Sequence, residues 1–276
     1  MSGPSVAPAR SAHALPSPPP APRDDWLTVG PIRFRFHAAS PVGTGADATP
    51  LVLVHGLGVS SDYFARLQPL LAGRRPVYAV DLPGFGRTTR PRAILNGAGL
   101  ARALRDWLDA AGLERVHLLG HSQGGQIVVE FARTWPARVA RLILAGTTIG
   151  RHGPGPAGRF FDLLRDIPRE DLTLLPVVLP AYLRAGVPRI ARTEALVNDD
   201  ATDAALARLR LPTLIVRGDR DCVVDASAMH KLLAAAPHAH YVEIPGAAHA
   251  LHWSHAPALA GLVNDFLDRD NAGEGE

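Results

Sequence analysis

Three stretches of the chain hold residues whose types and spacing suit nucleophilic attack on a carbonyl carbon. Gly120-His121-Ser122-Gln123-Gly124 fits the pattern G-x-S-x-G, which places a serine hydroxyl on a tight turn. Such a hydroxyl is a weak nucleophile until a general base takes its proton, and that base needs a carboxylate to orient it. Among the twelve histidines, His249 is the expected base. It sits in Pro245-Gly246-Ala247-Ala248-His249, directly after a short apolar run, whereas His252 (the alternative) and His255 fall at or inside the last helix. Arg217-Gly218-Asp219-Arg220-Asp221 supplies the acid. Asp221 lies deeper in its loop and has the longer reach toward His249, and Asp219 is read as a brace. Attack on a carbonyl also develops an oxyanion, which needs backbone N–H donors. The Gln123 amide is one, and the Leu57 amide in His55-Gly56-Leu57-Gly58 is the other, with Gly58 behind it. His55 reads as a hydrogen-bonded scaffold residue and His121 as structural, pointing away from Ser122.

These residues are useful only if one framework brings them together. Leu51 to His55, Val77 to Val80, Val116 to Leu119, Leu142 to Ala145, Thr213 to Val216 and Tyr241 to Ile244 are short apolar runs of the kind that form buried parallel strands. Ahead of them, Thr28-Val29 and Ile32 to His37 flank a Gly30-Pro31 turn and read as an opening hairpin. Helical patterns alternate with the strands: Asp62 to Ala72, Gly99 to Ala111, Gln126 to Thr134, Ser227 to Ala236 and Leu259 to Leu267. That alternation defines a doubly wound α/β fold, with active-site loops at the carboxyl edge of a mostly parallel sheet. The rhythm breaks between Leu142 and Thr213, a stretch with helical candidates at Arg159 to Asp166, Leu172 to Ala185 and Asp200 to Arg208. A connection this long argues for an inserted helical subdomain. The organisation read from the chain is a disordered extension over 1–24, a core formed by 25–148 and 210–270, a helical cap over 149–209 and a disordered tail over 271–276.

Taken as a set, His55-Gly56, Asp81-Leu82-Pro83-Gly84-Phe85-Gly86, Gly120-His121-Ser122-Gln123-Gly124-Gly125, Pro136-x-Arg138-Val139, Gly218-x-x-Asp221 and Pro245-Gly246-x-x-His249 resemble the α/β-hydrolase superfamily, in its esterase, lipase and cofactor-free hydrolase branch. The resemblance runs over roughly residues 28 to 268. It implies Ser122 as nucleophile, His249 as base, Asp221 rather than Asp219 as acid, and an oxyanion donor just after His55-Gly56. Related dehalogenases and epoxide hydrolases carry aspartate where Ser122 stands, so both of those chemistries are disfavoured. Relatives that cleave carbon–carbon bonds of ring-breakdown products often carry anion-binding residues on the cap. Arg151, Arg159 and Arg165 are candidates for that task, with solvated surface as their default reading.

Composition excludes several other classes. The chain has 276 residues, 47% of them hydrophobic, with 29 basic against 26 acidic residues and a formal charge of +3. No basic run interleaves with aromatics, so a nucleic-acid partner is not expected. No run nears the ~18 apolar residues of a membrane span. Cys222 is the only cysteine, which rules out an internal disulfide and fits a reducing, cytoplasmic setting. The proline-rich start lacks the apolar core of a secretory signal. No metal or organic cofactor is called for, and the oligomeric state is not legible.

The expected activity is hydrolysis of a carboxylic ester through an acyl-enzyme. The apolar residues of the cap, Phe160 and Phe161 among them, would line a pocket for a small to medium apolar substrate, with Trp253 either in its wall or in packing. A cofactor-free hydrolase of a β-diketone-like carbon–carbon bond is the alternative, since the same triad and fold serve it. A non-catalytic ligand-binding protein is the third reading.

Overall fold

The computed structural model describes residues 21–41, 49–147, 166–197, 201–224, 229–230, 233–234, 236 and 238–268. Phe160, Phe161, Arg151, Arg159 and Arg165, the helical candidate Arg159 to Asp166 except for its last residue, and half of Ser227 to Ala236 lie outside the described residues.

Among the described residues eight strands form one sheet: β1 (Arg23–Val29), β2 (Ile32–Ala39), β3 (Leu51–Val54), β4 (Val77–Val80), β5 (Val116–His121), β6 (Val139–Ala145), β7 (Thr213–Gly218) and β8 (Ala239–Ile244). Their order is β1-β2-β4-β3-β5-β6-β7-β8. The β1–β2 and β2–β4 pairs are antiparallel and all others parallel. This is the α/β-hydrolase core, with helices between β6 and β7 forming the inserted cap. The opening hairpin is longer than the sequence implies. β1 takes in Arg23 and Asp24, which the sequence assigns to the extension.

The central strands are largely apolar, with His117, His121 and Arg141 as exceptions, because both faces of the sheet are covered. Side chains alternate between those faces. Val52, Val54, Leu118, Leu142 and Leu144 pack toward α2 (Gly97–Ala110) and α3 (Gln123–Thr134). Leu51, Leu53, Leu119, Ile143 and Ala145 pack toward α1 (Gln68–Ala72) and the last helix. Asn96 opens α2 by accepting the Gly99 amide at 2.8 Å, which satisfies one of the donors a helix start leaves unpaired.

Two helical expectations change. Asp62 to Ala72 is not one helix but a 3-10 turn, Ser61–Phe64, followed by α1. Pro69 cannot donate a hydrogen bond and would clash with a carbonyl one turn earlier, so the helix restarts just before it. The cap contains α4 (Leu175–Ala185), α5 (Val187–Val197) and α6 (Ala201–Arg208). Of these, α5, which carries Pro188 in its first turn, is absent from the sequence reading. Proline in the first turn gives up a donor that has no partner there anyway, so it starts α5. The described residues end in α7 (Leu251–Ser254) and α8 (Ala256–Asp268). Among the described residues no single helix is long and apolar enough to cross a membrane.

At the β5–α3 junction the backbone leaves no room for side chains. A Cβ on Gly124 would lie 2.3 Å from the Val54 carbonyl oxygen, and one on Gly120 would lie 2.5 Å from that of Gly124. Gly124→Ala is therefore expected to cost about 3 kcal/mol of stability, since rigid backbone rather than a flexible side chain must give way. Urea denaturation checks this, and an unchanged midpoint would refute it.

Candidate active site

Ser122 stands between β5 and α3 with φ 54° and ψ −126°, the one non-glycine residue with positive φ among the described residues. This left-handed backbone is strained for a residue with a Cβ, and it lifts the side chain clear of both strand and helix. The strain is held by the close packing of Gly120 and Gly124 and by the Ser122 amide, which donates to the Ala145 carbonyl at 3.0 Å. The helix starts at Gln123, three residues earlier than its sequence pattern implies.

The loops after β7 and β8 reach the same point. His249 Nε2 lies 3.0 Å from Ser122 Oγ, and His249 Nδ1 lies 3.0 Å from Asp221 Oδ2. The other oxygen of Asp221 accepts the amides of Val223 at 2.7 Å and Val224 at 3.0 Å. Burial disfavours the Asp221 carboxylate, yet His249 and these two amides more than compensate and hold its pKa below the usual value. Since a carboxylate only accepts, Nδ1 of His249 must donate. In the neutral ring Nε2 is then free to accept the Ser122 proton. Burial also works against the imidazolium, but Asp221, Glu170 and Asp166 outweigh it and raise the His249 pKa to about 9. Asp219 instead accepts the Gly246 amide at 2.7 Å, which ties the loop after β7 to the one after β8.

The amide of Gln123 belongs to the first residue of α3 and has no carbonyl of its own helix to bond. The loop after β3 runs against Ser122 so closely that a Cβ on Gly56 would sit 3.1 Å from that of Ser122. Leu57 follows directly. Its neighbour Gly58 has φ 78° and lies under Tyr182 and Ile190 of the cap. His55 accepts the Leu82 amide on Nε2 at 2.9 Å, joining the loops after β3 and β4.

His121 points away from Ser122. Its Nε2 lies 3.0 Å from the His249 carbonyl and must donate there, so Nδ1 accepts from Tyr63 Oη at 3.0 Å. Tyr63 Oη in turn accepts the Gly56 amide at 2.7 Å. One chain of hydrogen bonds thus connects the loops after β3, β5 and β8. Burial, and then the nearby His249, push the His121 pKa down to about 3, so the ring stays neutral and its tautomer is fixed. His252 is fully buried against the rings of Tyr63, Phe64 and His121. Trp253 packs under the Arg66 guanidinium, 4.3 Å away, and donates its indole N–H to Thr173 at 3.0 Å.

The cap meets the site at several points that sequence patterns do not reveal. Gln123 Nε2 donates to Glu194 Oε2 on α5 at 3.0 Å. Ahead of α4, Asp166 and Glu170 face the backbone of the His249 loop. No local motif marks Tyr63, Asp166, Glu170 or Glu194, because their roles depend on loops distant in sequence.

Residues 51–262 match the alpha/beta hydrolase family, and the chain belongs to that family. Its relatives include a 2-hydroxy-6-oxononadienedioate/2-hydroxy-6-oxononatrienedioate hydrolase of Cupriavidus pinatubonensis, 30% identical over 88% of this chain and 94% of that one. Another protein of that name, from Pseudomonas putida, is 32% identical over 87% of this chain and 94% of that one. The structure of a meta-cleavage product hydrolase from Pseudomonas fluorescens superposes with a TM-score of 0.73 at 21% identity, over 89% of this chain and 97% of that one, a likeness of fold. The two relatives overturn the expectation of a carboxylic-ester hydrolase. Both carry names for hydrolysis of a 2-hydroxy-6-oxo acid, whose bond of attack joins two carbons.

Proposed function

We propose that this protein is a cofactor-free hydrolase of a carbon–carbon bond in a ring-fission product of the 2-hydroxy-6-oxo-dienoate class. The observation that carries this substrate class is the pair of relatives so named, which the chain matches over 94% of their length. The site geometry supports the chemistry. When the 2-enol of such an acid becomes a ketone, its proton moves to C5, and C5 is then joined to the C6 carbonyl by a single bond. His249 takes the Ser122 proton as Oγ adds to C6, and the amides of Leu57 and Gln123 bind the resulting oxyanion. The C5–C6 bond breaks with its electron pair passing into the conjugated chain, which leaves as a 2-hydroxydienoate after protonation. Water activated by His249 then releases the C6 carboxylic acid from Ser122. The leaving group here is a delocalised carbanion, where an ester would release an alkoxide, so one nucleophile and one oxyanion site serve either bond.

The substrate would be held beneath the cap, read as 149–209, and the single cysteine suits a cytoplasmic setting. The test is a spectrophotometric assay of the purified protein with ring-fission products and, beside them, short-chain aryl esters. The coloured dienolate is expected to decay with release of one 2-hydroxydienoate and one carboxylic acid per molecule consumed. A kcat/KM for an aryl ester above that of every ring-fission product would reject the proposal.

A further inference from the structure

The segment that leads into α4 is fastened to the two loops that carry Asp221 and His249. Asp166 is almost fully buried, and its carboxylate spans both loops: Oδ1 accepts the Cys222 amide at 3.1 Å and Oδ2 accepts the His249 amide at 3.1 Å. One turn later, Glu170 Oε1 accepts the Ala250 amide at 2.6 Å. Further out, Thr173 receives the Trp253 indole N–H, and Asp171 pairs with Arg66 at 2.7 Å. Three backbone donors of the acid and base loops, those of Cys222, His249 and Ala250, each next to or part of a triad residue, therefore end on two carboxyl groups from the cap's leading segment.

We propose that Asp166 and Glu170 are positioning residues that clamp the loop of His249 to the loop of Asp221 and set the basicity of His249. The inference rests on the reading of Ser122, His249 and Asp221 as the reacting groups. Two carboxylates side by side in a buried place repel each other unless a proton lies between them. Glu170 Oε2 is buried without a partner other than this neighbour, so a proton on Glu170 satisfies it. In agreement, burial first and then Asp166 raise the Glu170 pKa to about 8. Among the described residues, the charged or titratable groups that face Glu170 are Asp166 on its own segment and His249, backed by Asp221, on the base loop. Ionised, Glu170 favours the imidazolium of His249; protonated or replaced by an amide, it does not. A glutamine at 170 can still accept from Ala250 while donating to Asp166, so it keeps the clamp and removes the charge. Alanine removes both.

The probe is a fluorophosphonate, which reports the reactivity of Ser122 whatever the substrate. Labelling rates are measured against pH for the wild type, Glu170→Gln, Glu170→Ala and Asp166→Asn, with thermal unfolding followed in parallel. Glu170→Ala and Asp166→Asn are expected to slow labelling about tenfold at its plateau, because small displacements of a base are costly. Glu170→Gln is expected to recover most of that loss. Removing a carboxylate that favours His249 in its charged form lowers the pH at which the neutral base appears. The acid limb of Glu170→Gln should thus lie about half a pH unit or more below that of the wild type. Purely structural packing would not move this limb. Coincident limbs for Glu170→Gln and wild type, or wild-type labelling by a folded Glu170→Ala, would overturn the proposal. Labelling that follows the expected pattern in a protein that turns over no ring-fission product would unseat the substrate class and leave the clamp standing.

Discussion

Ser122→Ala is expected to lower kcat for a ring-fission product by about 10⁴-fold or more while the chain stays folded and binds substrate. The hydroxyl lies 3.0 Å from His249 Nε2 and is the group proposed to form the bond to C6. What survives are the proposed oxyanion donors, the Leu57 and Gln123 amides, which by themselves retain a small part of the rate enhancement. Alanine keeps the Cβ and so keeps the same strained backbone. Stability should then move by no more than ~0.5 kcal/mol, the range of a substitution that empties no core space. Single-turnover absorbance and thermal unfolding measure the two quantities. Wild-type turnover by the alanine variant would remove Ser122 from the mechanism, and loss of folding would show that the hydroxyl serves the elbow instead.

Asp221→Asn is expected to cost about 10³–10⁴ in kcat, and the local hydrogen bonds say why. Asp221 Oδ1 accepts two amides, from Val223 and Val224. An asparagine must keep its carbonyl oxygen there, because its NH2 group would meet two donors. The NH2 is thereby forced toward His249 Nδ1, which must accept. The ring proton then sits on Nε2 and points at Ser122, so His249 offers a donor where the reaction needs an acceptor. Loss of the carboxylate charge also removes support for the imidazolium, so the His249 pKa should fall from its raised value. Nitrogen chemical shifts of His249 would report the change of tautomer directly. An asparagine variant with undiminished kcat would mean that another group orients the ring.

The fold was largely legible because the strands at the centre of its sheet are short, largely apolar and bounded by turn residues. The α/β-hydrolase class follows from them, and each strand but β3 and β4 extends beyond its expected limits at one or both ends. The elbow was legible for a different reason. Gly120 and Gly124 are demanded by backbone contacts that no other residue survives, so the physics leaves a local mark in the sequence. Asp166, Glu170 and Tyr63 leave none, since each bonds to backbone amides whose sequence says nothing of their partner. The bond that is broken was equally hidden. A serine, a histidine and an aspartate placed 3.0 Å apart set up the same attack on an ester and on a ketone, and the difference lies in the group that leaves. Only likeness to named relatives separated the two, and it reversed the expected order.

The site draws on β5 for its serine and on the loop beyond β8 for its histidine, 127 residues further along the chain. Between them the cap must form and the chain must return to the sheet as β7 and then β8. The Ser122 amide bonds to Ala145 at the end of β6, so the strained serine itself needs β6, and its base comes later still. Contacts this distant in sequence are slow to form and come late in assembly. The pairing of Ser122 with His249 therefore requires β7 and β8 to be in place, so an activated hydroxyl is expected only once the sheet is complete to its edge strand.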